Sequence, residues 1–274
     1  MQKRPFLLGK SFFPKENKGN KNLEYFRERA YKASNRNLQF LLKSRYEWMS
    51  EHIKIDDTGC ELGAGIGISK LYLPNIDFDI TDCYYHPWID RVVDAVELPY
   101  DNESMDFIIA SNMIHHIPYP MKFFKEANRV LKRGGKILIN DVNCSLIMRI
   151  LLRLLKHEGY SYENDVFSEE NAVNDPNQAW SGNNAVCDLL FRDNQEFESR
   201  TGFRIEFDKS MELFTFLFSG GVSSEFKTIQ LPHWTLMLLE KIDNFLCNWP
   251  SIFPISRRSL LIKSIEYSDN NTGL

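Results

Sequence analysis

A doubly wound α/β sheet of seven strands is the fold class that this sequence predicts, and three observations carry it. Short apolar runs alternate with helical stretches between residues 58 and 141, and a glycine-rich turn joins the first of those runs to a helix. Two further apolar runs, near residues 203 and 260, bring the strand count to seven. With 274 residues, 43% hydrophobic and 26% charged, the chain buries a full core without disulfides or structural metals.

Each element has its own signal. Residues 1–21 are polar and rich in Lys, Asn and Gly, the composition of an arm that gains order only by packing on something else. Leu38, Leu41, Leu42, Tyr46, Met49 and Ile53 then recur at helical spacing with Lys43, Arg45 and Glu47 between them, which predicts an amphipathic helix over a core. Residues 1–53 are thus an arm and a helical cover. The strands TGCEL, IDFDIT, RVV, DFIIAS and KILIND organise residues 54–145. Phe123, Phe124, Ala127, Val130 and Leu131 make one apolar helical stripe, with Gly134-Gly135 as its stop.

Residues 146–274 add a lid insertion and the last strands of the same sheet. SLIMRILLRLLK predicts a helix with Arg149, Arg153 and Lys156 on one edge, most simply a buried lid helix and alternatively a helix lying on a membrane surface. Phe203, Ile205 and Phe207 alternate with charged residues as a strand does, and SLLIK near residue 260 is a second strand. The stretches Glu158–Arg200 and Gly220–Pro254 are expected over the ligand-binding edge.

A net charge of -4, with basic and acidic residues interspersed, argues against a nucleic-acid surface. Cys60, Cys83, Cys144, Cys187 and Cys247 lie far apart with no CxxC and no zinc spacing, as expected of reduced thiols in the cytoplasm. The N-terminal apolar runs are broken by Gly9, Lys10 and Pro14, so no secretion signal is expected, and no apolar run reaches the length of a membrane span.

The chemistry starts at Glu61-Leu62-Gly63-Ala64-Gly65-Ile66-Gly67, between a strand and a helix. A dinucleotide fold wants a third glycine at position 68, where this chain has Ile. An acid ahead of GxGxG repels phosphate and suits an ammonium group, which favours a zwitterionic cofactor over NAD. Asp82 closes the second strand at the offset from Glu61 usual for a carboxylate that holds ribose hydroxyls, while Asp77 and Asp79 fall inside that strand. Asp94 and Ala95 follow the third strand, where a side chain and a backbone N–H can read adenine; Asp90, Glu97 and Asp101 lie close enough to compete if the register slips.

From Thr58 to Asp141, through ELGAGIG, DFIIAS, HHI and RVLKRGG, the chain resembles the class I S-adenosylmethionine-dependent methyltransferases, in particular their broad type 11-like group acting on small molecules. HEGYSY, NNAVCDLLFRD and FSGG are similar to uncharacterised bacterial members. The resemblance implies a Rossmann-like fold and S-adenosylmethionine as cofactor. Glu61 would face the methionine amino group, Gly63 and Gly65 permit close approach, Asp82 hold the ribose, Asp94 and Ala95 the adenine, and Ser111 line the methionine through its backbone.

Methyl transfer from a sulfonium needs alignment above all. A hydroxyl acceptor, of a saccharide or other metabolite, also needs a base, and His115 and His116 follow the fourth strand at the right place; otherwise they cap a short helix or pack beneath the cofactor. No metal is expected there, because adjacent histidines point apart and no carboxylate partner is evident in the sequence. Asp141 and Asn143 are candidates for the pocket rim, or strand-end caps. Trp88 is expected near adenine or in packing, and His157, Tyr160, Tyr162 and Trp180 in a lid that binds the acceptor or makes a local core. The alternatives are a lipid-linked acceptor met at a membrane by the Arg149/Arg153 helix, and a cofactor-binding scaffold without turnover.

Overall fold

The computed structural model describes residues 22–264, apart from 157, 179, 224 and 225. The expected arm at 1–21 and the lid residue His157 therefore lie outside the described residues. Seven strands form one sheet in the order β3-β2-β1-β4-β5-β7-β6: β1 (Gly59–Leu62), β2 (Phe78–Asp82), β3 (Arg91–Val92), β4 (Met105–Ser111), β5 (Leu131–Val142), β6 (Phe203–Met211) and β7 (Ser256–Lys263). β1 to β5 are parallel, while β7 runs antiparallel to both β5 and β6.

Helices cover both faces, as the buried alternation of the central strands requires. Phe107, Ile109 and Leu138 face α1 (Leu23–Tyr31) and α2 (Arg36–Glu47), and α3 (Ser69–Tyr72) follows the glycine turn on that side. Ile108, Ala110, Ile137 and Ile139 face α4 (Pro120–Val130) and the irregular segment beyond α5 (Leu146–Leu155), with α6 (Val186–Leu190) and α7 (Asn194–Thr201). α8 (Phe214–Ser219) and α9 (His233–Leu246) pack beside α2, where Asn37 donates to the Phe218 and Ile229 carbonyls at 2.9 Å.

Three readings of the sequence need correcting. The α4 stripe ends at Val130, because Leu131 is already extended and paired with Met105. Gly134, at φ +75°, serves the register shift inside β5 instead of a helix stop. On α2, Arg45 does not lie on a solvent face but is buried against Glu212, with Nη2 to Oε2 at 2.6 Å.

A further correction concerns α5, which is turned opposite to a buried lid helix. Its buried residues are Arg149 and Leu152, whereas Leu146, Ile150, Leu154 and Leu155 are exposed, Leu154 to 73%. Arg149 is held inward by the Tyr162 ring and the Ser145 carbonyl, while Arg153 and Lys156 stay exposed and four of the helix's leucine and isoleucine side chains face out.

Candidate functional site

The glycine turn leaves the end of β1 with Gly63, Gly65 and Gly67 all at positive φ, from +52° to +66°, a backbone that side chains rarely tolerate. Space decides the matter too: a Cβ on Gly63 would stand 2.5 Å from Met113 Cγ, and one on Gly67 would strike the Trp88 ring. Gly65 has open space on that side. The turn is pinned by Asp82, whose Oδ2 accepts from Gly65 N at 2.8 Å while Oδ1 accepts from Tyr84 N at 3.1 Å. Trp88 Nε1 donates to the Gly65 carbonyl at 2.8 Å, and Arg27 of α1 donates to the Ile66 and Gly67 carbonyls while lying over the same indole.

Glu61 sits behind this turn, 1% exposed. Its partners are hydroxyls, Tyr46 at 3.3 Å and Ser69, and among the described residues no cation pairs with it. Burial lifts its pKa to about 7, with the Ser69 and Tyr46 hydroxyls pulling the other way. Tyr46 also touches Ser111, so α2 inserts one phenol between the ends of β1 and β4. Asp94 is exposed and turns its Oδ1 to Val96 N at 3.0 Å, while Ala95 packs against the core. The competing acids are otherwise engaged: Asp79 binds the Tyr100 hydroxyl and Arg91, and Asp90 binds Ile80 N and Lys70.

At the ends of β4 and β5 the structure assembles a second group. His115 Nδ1 lies 2.5 Å from Asp141 Oδ1, and its Nε2 lies 3.4 Å from Glu158 Oε2. His116 Nδ1 faces the Ser181 carbonyl at 3.3 Å, and its Nε2 lies 3.8 Å from Glu158 Oε1. Burial opposes charge on His115, yet Asp141 and Glu158 outweigh it and raise its pKa to about 10. His116 is pushed down to about 4 by burial and by its neighbour's charge. Asp141 is buried too, but His115 and the Val142 N–H keep its carboxyl below the usual range.

Glu158 is the residue that sequence reading missed, and it supplies the carboxylate partner the histidine pair was thought to lack. Gly182 lets the loop approach, since a Cβ there would stand 3.1 Å from both Glu158 Oε2 and His115 Cδ2. At this edge the structure favours the second of the alternatives that the sequence left open for Asn143, Tyr160 and Tyr162. Asn143 ties the Pro250 and Pro254 carbonyls and Arg257, so it braces β7 rather than a pocket rim. Tyr160 is 1% exposed in the core, and the Tyr162 hydroxyl meets the Cys144 carbonyl and Asp188. Trp180 does reach the site, edge-on to His116 with ring centroids 6.3 Å apart.

A sheet of this order, with a glycine turn after β1 and acids ending β1 and β2, is the frame of a class I methyltransferase. Residues 61–139 match the family described as "Methyltransferase domain", and the chain carries a class I S-adenosylmethionine-dependent methyltransferase domain. It is 31% identical over 111 residues to an uncharacterised protein of Methanocaldococcus jannaschii, covering 38% of this chain and 54% of that one. It is also 41% identical over 56 residues to the 27-O-demethylrifamycin SV methyltransferase of Amycolatopsis mediterranei, covering 19% of this chain and 21% of that enzyme. The chain thus spans about half the length of the first curated relative and a fifth of the second. A solved S-adenosylmethionine-dependent methyltransferase from Archaeoglobus fulgidus shares the fold, with a TM-score of 0.52 at 15% identity, over 88% of this chain and 99% of that one.

Proposed function

We propose that this protein transfers a methyl group from S-adenosylmethionine to a hydroxyl of a small molecule, a saccharide or other metabolite, in the cytoplasm. The observation that carries the reading is Glu61, a buried carboxylate with hydroxyl partners only, set behind a turn that has open space at Gly65. Such a carboxylate is a place for an ammonium group, and the cofactor's methionine end carries one. When bound, the cofactor supplies a methyl already activated on a sulfonium.

The chain's own residues do the remaining work. Glu61 would hold the amino group, Gly63 and Gly65 admit the backbone approach, Asp82 hold the ribose, Asp94 and Ala95 the adenine, and Ser111 line the methionine. Residues 54–145 are the proposed cofactor unit, under a cover from residues 1–53, with residues 146–274 as lid and closing strands. His115 and His116 are proposed to manage the acceptor's proton, with Asp141 and Ser181 fixing the two rings through Nδ1. The acidic net charge supports a small-molecule acceptor over nucleic acid.

Calorimetry with S-adenosylhomocysteine tests the cofactor claim, using Asp82→Ala as control. Micromolar binding that the variant loses supports it; no binding in the folded parent protein overturns it, together with the cofactor-binding scaffold.

A second acceptor class is favoured by α5. Leu146, Ile150 and Leu154 face outward, and on α9 so do Trp234, Met237 and Phe245, which suits contact with a membrane carrying a lipid-linked acceptor. No helix among the described residues is long and apolar enough to cross a membrane, so the contact would be peripheral. Sedimentation with anionic vesicles, lost in an Ile150→Glu/Leu154→Glu variant, would move the acceptor to the membrane; parent protein that stays in the supernatant removes this reading.

A further inference from the structure

The histidine cluster gathers three side chains able to ligate a metal around one point. His115 is committed at Nδ1 to Asp141 and His116 at Nδ1 to the Ser181 carbonyl, so both rings turn Nε2 toward one carboxylate, Glu158. One ligand atom from each of His115, His116 and Glu158 lies within 4.8 Å of the other two. Two asparagines stand beside it: Asn184 donates to Glu158 at 3.1 Å and Asn174 to the His115 carbonyl at 3.1 Å, yet the buried Oδ1 of each has no hydrogen-bond partner. Buried acceptors without donors are rare and point to a bound group, a water or an ion with its waters, beside the cluster.

From this geometry we propose that His115, His116 and Glu158 bind a divalent transition-metal ion of the zinc class. Two neutral imidazoles and one carboxylate are a donor set that such ions take, with a position left for an outside oxygen. Ligand atoms on a tetrahedral zinc stand about 3.3 Å apart for bonds of about 2.0–2.1 Å. His115 Nε2 stands 3.4 Å from Glu158 Oε2 and His116 Nε2 3.8 Å from Oε1, and the three ligand atoms, all within 4.8 Å of one another, would draw together by side-chain rotation around an ion. Behind His115 stands Asp141, itself fixed by the N–H groups of Ile114 and Val142, which is the carboxylate–histidine support that metal sites use. On metal binding His115 gives up its Nε2 proton to solvent, so the ion replaces the imidazolium as the charge that offsets Glu158 and Asp141. Entry is open on one side, because the His116 and Glu158 side chains keep 19% and 11% of their surface.

The site also has a use. It follows β4 immediately after Met113, which packs on Gly63 of the cofactor turn, so an oxygen taken by the ion would stand at the acceptor side. In the loaded protein the two ring nitrogens are ligands rather than bases, and the charge of the ion lowers the acceptor hydroxyl's hold on its proton. That use rests on the methyl-transfer reading, whereas ion binding does not.

The test uses the full-length protein, stripped with a chelator and exchanged into clean buffer. Zn²⁺ is titrated against a chromophoric competitor, and Co²⁺ binding is followed by visible absorption. The expected result is one ion per chain, visible cobalt bands, and at least tenfold weaker zinc binding in Glu158→Gln and in His116→Ala, with His233→Ala unchanged. Absence of uptake, or uptake indifferent to Glu158→Gln and His116→Ala, overturns the site. Folding of each variant is read from its thermal transition; should Glu158→Gln fail to fold, His116, the less buried of the two histidines, carries the comparison. S-adenosylhomocysteine binding is measured alongside, so that loss of the ion site and loss of the cofactor reading are told apart.

Discussion

Glu61, at the end of β1, and Asp141, at the end of β5, are each 1% exposed, yet their surroundings push them in opposite directions. Glu61 meets only hydroxyls, so burial wins and its pKa rises to about 7. Asp141 meets an imidazole and two backbone N–H groups, so it stays charged despite its burial. Whether a buried carboxylate keeps its charge is therefore set by the chemistry of its partners and not by depth.

The sharpest way to break this comparison is to neutralise each acid in turn. Asp141→Asn strands a buried imidazolium and should cost about 3–5 kcal/mol in urea unfolding of metal-free protein. Glu61→Gln should cost far less at pH 8, or stabilise; equal losses would show that the two acids are not different in kind. Next comes Asp82→Ala, which should weaken S-adenosylhomocysteine binding by about 1–3 kcal/mol if the carboxylate holds both ribose hydroxyls. Unchanged affinity in a folded variant assigns the ribose to another acid.

The pH dependence follows from Glu61. Its folded pKa, about 7, lies above its ordinary value, so the folded state keeps a proton that the unfolded state has released. Stability of the cofactor-free protein should therefore fall as pH rises from about 4.5 through 7, by at most about 3 kcal/mol, and level off above. An ammonium ligand needs the ionised form, so S-adenosylhomocysteine affinity should drop about tenfold per pH unit below 7. Calorimetry across that range checks this, and Glu61→Gln should flatten both curves. The smallest effect belongs to Ser69→Ala, which removes one hydroxyl from Glu61 and should weaken cofactor binding by about 0.5–1.5 kcal/mol. A titration midpoint that moves upward in this variant supports the hydrogen bond, and an unmoved one assigns the raised pKa to burial alone.

The first of these regions was far more legible in the sequence than the second. Glu61, the glycines and Asp82 lie within one strand-turn-helix-strand unit, where spacing alone places them at one sheet edge. All seven strands were legible for a similar reason, since each alternates or runs apolar between turn signals. His115, His116 and Asp141 were visible as residues, but Glu158 comes from an irregular segment whose position no periodicity encodes. Tyr46 was read as one member of an apolar stripe, and only packing shows its hydroxyl reaching Glu61. The orientation of α5 was misread because periodicity finds an apolar face without telling which way it points; Arg149, held by Tyr162 and Ser145, decides that.

The strand order also bears on how the chain is made. Among the described residues β6 borders no strand except β7, although β7 follows it in sequence by more than forty residues. During synthesis β6 must wait unpaired until β7 leaves the ribosome and slots beside β5. Up to that moment Asn143 lacks Arg257 and the edge of β5 lies bare, so nascent chains halted before residue 256 should be the ones that chaperones hold and proteases clear.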